Sequence, residues 1–563
     1  MSKLLRVISS ALLPCLLLLS TAAMAQDPIL KPPISDQDLR DDPLLKPGPM
    51  PVPPVPNLTR VGVGGGELSL SLNQAIRRAL ENNNDIEVSR DNVRLAETTL
   101  QSLEGVYDPI INFSPQSSLV RVPRVNSTGE TSTTIPASVP IQQTDLSITP
   151  SITKQFGTGG GQYQFFFNST RGTANNGYTQ LSPFYSTSLG ASLTQPLFRN
   201  RSIDQFRHDI RVQRKRVSQS DADFRLQVIN VISQVQLAYW ELVFALRDEQ
   251  NQLANVNLAR EQLRMIEEQI SVGIAATLDR AQALTQIASS ETMLLSATQA
   301  VTTSENVLKQ LMLRNKSASE WSTRLTPTDK PSLDTAPVDL NNALAEAFAN
   351  RPELNVLRMQ KDINKIDTQF FKNQTLPHFD LQATFFKYGL AGRLLPSAIG
   401  GGLPADLVGG YGQALRDITG LNTGTIAIGA TIQFPLRNRT AKANLANSRI
   451  QGEQLVATTQ SQEQAIEVDV RNAVQAVETA QRQLGTARAA TKSAEIQLAG
   501  EMKRYQAGMS TTFLIFQFED QLVTARTAEL RAEANYNQAL ANLQRATSTT
   551  LRASHITLAG VQP

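Results

Sequence analysis

The sequence predicts an α+β fold of two internal repeats, each a helical pair, a β segment and a long helical hairpin. Three observations carry this. Residues 195–201 read QPLFRNR and residues 434–439 read FPLRNR, each closing a β-like stretch and opening a long helical one. Each helical stretch runs to a glycine, Gly273 or Gly508, and then turns back. Residues 70–80 (LSLNQAIRRAL) match residues 338–348 (VDLNNALAEAF), so the same helices precede both β segments. A duplication on this scale constrains the fold more than any local motif. It also argues against an enzyme, because chemistry rarely needs the same rod built twice.

Residues 1–25 read as a secretory signal. Lys3 and Arg6 precede an apolar run, and Ala23-Met24-Ala25 forms a cleavage site, so the mature chain is expected to start near Gln26. The single cysteine, Cys15, lies inside that signal, which removes disulfides, thiolate metal sites and cysteine nucleophiles from the mature protein. Residues 26–66 are rich in proline and glycine and are expected to be extended and mobile.

The first repeat is assigned to residues 67–330. Residues 67–104 read as helix, broken at Asn82-Asn83-Asn84, with residues 85–104 as a second helix. From Tyr107 the apolar period changes to two, giving strand candidates at 108–122, 143–156, 162–168 and 187–197 within a β region of 108–197. A helical hairpin follows over 197–315 with its tip at Gly273. The second repeat, residues 331–550, has the matching helix break at Asn350-Arg351-Pro352, where a proline can open a helix. Its β region, 378–435, shows only two strands, 379–388 and 425–434, joined by a glycine-rich loop over 389–424. Its helical hairpin covers 436–547, with the tip at Gly508, and residues 551–563 form a tail. The first repeat thus carries one added hairpin, near 143–168. A pair of strands returns the chain to the side it left, so both helical hairpins still project the same way.

Residues 197–272 contain neither glycine nor proline. A rod of that length reaches roughly 110 Å and must pack against other helices along its course. Phe224, Val228, Val231, Val235, Ala238, Leu242 and Ala245 step in heptads, and so do Ile466, Val470, Ala473, Val477, Ala480, Leu484 and Ala487. The first seam is expected to slip between Ala245 and Leu253. The return limbs, 279–315 and 514–547, are rich in alanine, serine, threonine and glutamine. Narrow apolar stripes with polar faces beside them favour a hollow cylinder over a closed bundle.

The net charge of +3 over 563 residues, without a basic patch, gives nucleic acid no support as a partner. His208, His378 and His555 lie far apart, without metal-ligand spacing. No glycine cluster precedes a lysine and a hydroxyl residue, so no phosphate-binding loop is present. Glu267, Glu268, Glu519 and Asp520 read as solvated charges on helix faces. No catalytic residue, cofactor or metal is expected. Past the signal no stretch reaches 18 apolar residues, so any entry into a membrane must be as a β-barrel.

Over residues 67–550 the chain resembles the TolC family of outer-membrane efflux proteins. The resemblance rests on the duplication, on the junctions at Pro196 and Pro435, and on two turn motifs. These read QISVGIAATLDRAQAL at 269–284 and RYQAGMSTTFLIFQFEDQL at 504–522. It implies a homotrimer with one shared outer-membrane β-barrel, continued by a long periplasmic coiled-coil α-barrel. It also implies a periplasmic adaptor and an inner-membrane pump as partners, with four barrel strands per chain. In such proteins the tips at Gly273 and Gly508 meet the adaptor and close the resting duct. The gate carries over in part. Asp279 and Tyr505 match the family's acid and tyrosine, and a hydrogen bond between them is expected to latch neighbouring hairpins. Ser510 stands where an arginine is common, and Leu514 and Gln517 stand where acids are common. With Phe518, they imply a more apolar constriction and weaker cation selectivity.

The function expected is therefore a passive outer-membrane duct that exports drugs or other small molecules delivered by a pump. The alternatives are type I protein secretion and, further off, a periplasmic adaptor or a structural coiled coil.

Overall fold

The computed structural model describes residues 60, 62–123, 140–175, 179–331, 338–395, 403–420 and 423–557. The expected signal peptide and most of the proline-rich segment lie outside these residues.

The first helical pair is α1 (Leu72–Asn82) and α2 (Asn84–Glu104). The expectation of helix from residue 67 is corrected here. Glu67–Leu70 is a strand, β1, paired in parallel with β6 (Arg324–Pro327). A capping box starts α1 one residue later: Ser71 Oγ accepts from Gln74 N (3.2 Å), and Ser71 N donates to Gln74 Oε1 (3.1 Å). The second helical pair is α5 (Leu340–Asn350) and α6 (Pro352–Gln374), with Pro352 opening α6 as expected.

Six strands form one antiparallel sheet. They are β2 (Ile110–Val122), β3 (Ile141–Gln155), β4 (Gln162–Ala174), β5 (Leu181–Pro196), β7 (His378–Leu394) and β8 (Gly424–Gln433), adjacent in that order. The first repeat gives four and the second two, so the length difference between repeats is one inserted hairpin, β3–β4. The stretch read as a plain loop at 389–424 is corrected: β7 runs on to Leu394, and a short helix, α7 (Tyr411–Thr419), follows.

The two faces of this sheet differ in chemistry. One register row crosses all six strands through Ile111, Ile152, Phe165, Ala191, Phe385 and Ile426. Its large members are exposed: Ile111 by 73%, Phe165 by 54%, Phe385 by 46% and Ile426 by 74%. The row one residue along faces the other way and reads Ile110, Thr153, Gln164, Ser192, Thr384 and Ala427. Apolar side chains on one face and mostly polar ones on the other are the pattern of a barrel wall with lipid outside and water inside. Helix α7 lies on the apolar face, towards the end remote from the long helices. Thr187 Oγ1 donates to Ala414 O (2.9 Å), and Gly389 leaves no room for a Cβ beneath that carbonyl.

The hairpin of the first repeat is α3 (Gln205–Ser271) and α4 (Thr277–Met312). That of the second is α8 (Arg439–Gln506) and α9 (Thr512–Ala546). Helix α3 starts at Gln205, not at 197, because residues 197–204 form a built junction. Pro196 ends β5 opposite Asp380, and Asn200 then takes a left-handed conformation (φ 67°). Arg207 gathers the loop by donating to Asn200 O (2.5 Å) and pairing with Asp204 (2.9 Å). In the second repeat Pro435 lies between β8 and α8, and Asn438 adopts the same left-handed turn (φ 41°). Asparagine tolerates this region better than other side chains, which explains its presence in both junctions.

The heptad seams are buried as expected except at Phe224 and Ala487, which are half-buried, and with one correction. The first seam does not slip after Ala245. It continues through Glu249, Gln252, Val256, Ala259, Leu263 and Ile266, all buried. Its polar members form side-chain bonds: Glu249 pairs with Arg60 (2.8 Å), and Gln252 donates through Nε2 to Asp248 and Thr527 (3.3 Å each), while its buried Oε1 has no partner among the described residues. That ion pair also corrects the expectation of mobility up to residue 66. Arg60 bonds Glu305 as well (3.1 Å), and Glu305 in turn pairs with Lys309 (2.8 Å). The tail is not free over 551–557 either, since Leu551 and Ile556 pack on the first core.

Around the structure the long helices stand side by side. Near the sheet the order is α2, α3, α6, α8; near the tips it is α4, α3, α9, α8.

Candidate functional site: the hairpin tips

Both tips are closed by the same backbone device. Gly273 has φ 76° and Gly508 has φ 74°. In the first, Gly273 N donates to Ile270 O (3.0 Å) and Ile274 N to Gln269 O (2.8 Å). In the second, Gly508 N donates to Tyr505 O (2.9 Å) and Met509 N to Arg504 O (2.9 Å). These are paired Schellman motifs, which satisfy the last helical carbonyls and reverse the chain. A Cβ at either glycine would meet nothing within 4 Å, so positive φ alone explains the residue.

The expected gate residues are brought together with different partners. Asp279 and Tyr505 do not bond each other within the chain. Asp279 caps its own helix, accepting from Ala276 N (3.1 Å), and also accepts from Thr512 Oγ1 on the other hairpin (3.0 Å). Tyr505 OH donates to Gln269 Oε1 (3.2 Å), again across the hairpins. Two crossed hydrogen bonds thus tie the tips, and Thr512 and Gln269 are the members that sequence reading missed. Ser510 hydrogen-bonds Glu501, which also pairs with Arg504 (3.0 Å), so the acid beside the second turn is already engaged.

Leu514 is half-buried and Gln517 is exposed. Phe518 is half-buried and packs on Ala494, Leu498 and Leu522 inside its own hairpin. Glu519 departs from expectation. It is not a solvated charge but is 4% exposed, hydrogen-bonded by Gln262 from α3. Burial pushes its carboxyl up to about 7; the Gln262 bond opposes that rise and neighbouring Asp520 adds to it. Asp520 is exposed and accepts from Gln286 of α4 (2.6 Å). The outermost surface of the tips is apolar, with Val272, Ile274, Leu278, Met509 and Phe513 all exposed.

Nothing here positions a nucleophile against a base. The two tips are tied to each other by the hydrogen bonds Asp279–Thr512 and Tyr505–Gln269.

Comparison with known proteins agrees. A sequence model described as outer membrane efflux protein matches residues 162–312 and 343–549, one segment in each repeat. No curated protein sequence matches the chain. Among solved structures, the fold is similar to the Campylobacter jejuni CmeC outer membrane channel. That match has 15% identity and a TM-score of 0.60, covering 86% of this chain and 90% of that one. It is also similar to the Neisseria gonorrhoeae MtrE outer membrane channel, with 16% identity and a TM-score of 0.55, covering 84% and 88%. The outer-membrane channel OprN gives 15% identity and a TM-score of 0.59, covering 84% and 89%. The family consists of channel proteins, not enzymes. The chain belongs to the outer membrane efflux protein family, and it is an outer-membrane efflux duct with a periplasmic helical extension.

Proposed function

We propose that three copies of this chain form one duct, and that its tips are both the docking end and the gate. One observation carries the assembly: the chain leaves the same two flanks open at every level. Strand β2, helix α2 and helix α4 bound one flank; β8 and α8 bound the other. Exposed apolar side chains mark both, with Val88, Leu95, Met293 and Leu295 on the first and Ile450, Val456, Val468 and Ile496 on the second. A head-to-tail contact between unlike flanks closes into a ring. Open strand edges are not tolerated in lipid, so the sheet requires such closure. The helices then enclose a hollow, water-lined space.

At the far end, the exposed apolar tips suit a periplasmic adaptor, which would open the duct by separating hairpins held through Asp279–Thr512 and Tyr505–Gln269. Energy comes from an inner-membrane pump, and the cargo is a drug or another small molecule. Leu514 and Gln517 replace an acidic ring with a nearly neutral constriction. Native mass measurement in mild detergent tests the assembly: a trimer is expected, and a stable monomer overturns it. Recording from single channels tests the constriction, where strong cation selectivity would sink the idea.

A further inference from the structure

The inserted β3–β4 hairpin is the feature that the family pattern of four strands per chain leaves unexplained. It is not an appendage. Strand β3 is paired with β2 from Ile110↔Thr153 to Val122↔Ile141, and β4 with β5 from Gln162↔Thr194 to Gly172↔Phe184. Its faces keep the alternation of the whole sheet. Ile148 and Ile152 lie on the exposed apolar side, and Ser151 and Thr153 lie on the polar side.

Its turn is fastened to the helical part. Gln195 Nε2 donates to Gly159 O (2.8 Å). Gly159 and Gly160 both have positive φ, and a Cβ on Gly160 would collide with Asn200 of the β5–α3 junction. The other four strands each continue into a long helix: β2 from α2, β5 to α3, β7 from α6 and β8 to α8. The inserted strands connect only to each other at that end, so they widen the sheet without adding a helix.

Resting on the trimeric reading above, we propose that this hairpin is a full member of the membrane barrel. Three six-stranded sheets, joined β8 to β2, then close eighteen strands. The strand directions allow it, since β2 runs away from the helices and β8 runs towards them, so the new pairing is antiparallel like all the others.

A strand tilted by about 40° occupies roughly 6 Å of circumference, so eighteen strands span about 110 Å. Barrels of 16–18 strands hold an aqueous channel, so the membrane end stays open and closure falls to the tips.

The test is cysteine scanning from Ser147 to Thr153 in the full mature chain, assembled in outer membranes. A membrane-impermeant maleimide is expected to label positions 147, 149 and 153 from the lumen; Ser151 lies on the same face but is buried. Labelling should be lost at 148, 150 and 152, which react only with a lipid-soluble maleimide. Continuous labelling by the impermeant reagent overturns the proposal, because a hairpin lying off the barrel is wet on both faces. Native mass is measured on the same samples. A trimer with continuous labelling rejects the eighteen-stranded barrel alone, whereas a monomer rejects the trimer itself.

Discussion

Helices α3 and α8 occupy equivalent places in the two repeats and are nearly equal in length, at 67 and 68 residues. Yet α3 is buried on two faces, while α8 buries one heptad stripe, from Ile466 to Leu498. Both seams have the same spacing, so periodicity does not separate them. Position does: α3 is flanked on both sides within its own chain, and α8 is the last helix on one flank. The second stripe of α3, with Ile229, Ile232, Tyr239 and Val243, answers to neighbours inside the chain. Val468 and Ile496 of α8 are exposed within the chain, and in the proposed trimer they face the neighbouring copy.

The largest effect is expected from placing a charge on each. Val235→Asp in α3 buries an unpaired carboxylate in a seam that is fully covered, at a cost of about 4 kcal/mol or more. Protease-resistant protein should disappear. Val468→Asp on α8 should leave the chain folded and abolish the trimer in native mass measurement. Intact trimers from that variant would break the comparison.

Next come the buried charges. Glu305→Ala removes the only ion-pair partner of buried Lys309 among the described residues, takes one of the two carboxylates on Arg60, and removes the acceptor of Leu325 N (3.1 Å), which should cost about 3–5 kcal/mol. In the second repeat, burial pushes Asp469 up, but Arg351 and Arg545 more than offset this and hold it below the usual carboxylate range. Its side chain is one-third exposed, so water screens what remains, and Asp469→Ala should cost only about 1–2 kcal/mol. Thermal unfolding in detergent measures both.

A smaller effect concerns pH. Glu519 binds a proton more tightly when folded, up to about 7, than at its ordinary value of 4.5. The folded state therefore holds more protons between those values, and stability falls as pH rises through that window. Glu519→Gln keeps the bond to Gln262 and should flatten this dependence, raising stability at pH 8 by roughly 1–3 kcal/mol. Unfolding midpoints at pH 5 and pH 8 give the comparison, and an unchanged slope would reject it. Smallest, and equal in both repeats, are Gly273→Ala and Gly508→Ala. Each forces a Cβ into positive φ with open space around it, for about 1 kcal/mol. Unequal losses would show that the two turns differ in more than backbone geometry.

The long hairpins were legible because glycine, proline and heptads punctuate them. The return limbs begin and end within three residues of expectation, at Thr277–Met312 and Thr512–Ala546. What escaped had polar residues in apolar roles. Glu249 and Gln252 keep the heptad but were not counted, because a seam is sought by hydrophobicity. Glu519 was read as solvated because its partner Gln262 lies 257 residues away. The pairing of β1 with β6 was missed for the same reason, although the Ser71–Gln74 box marks where the helix begins. At the tips the turn glycines were foreseen, but Thr512 and Gln269 carry no local mark.

The pairing of β5 with β7 sets an order in time. All neighbours in the six-stranded sheet are consecutive strands of it, but β5 and β7 are far the most distant along the chain, separated by the hairpin α3–α4, by β6 and by the pair α5–α6. Pairings between near neighbours close quickly, and those across a long loop wait. The four-stranded meander of the first repeat can therefore form while the second repeat is still being exported. Its β5 edge stands bare until β7 arrives, and that interval is when a nascent chain is most open to wrong pairing and to capture by a chaperone.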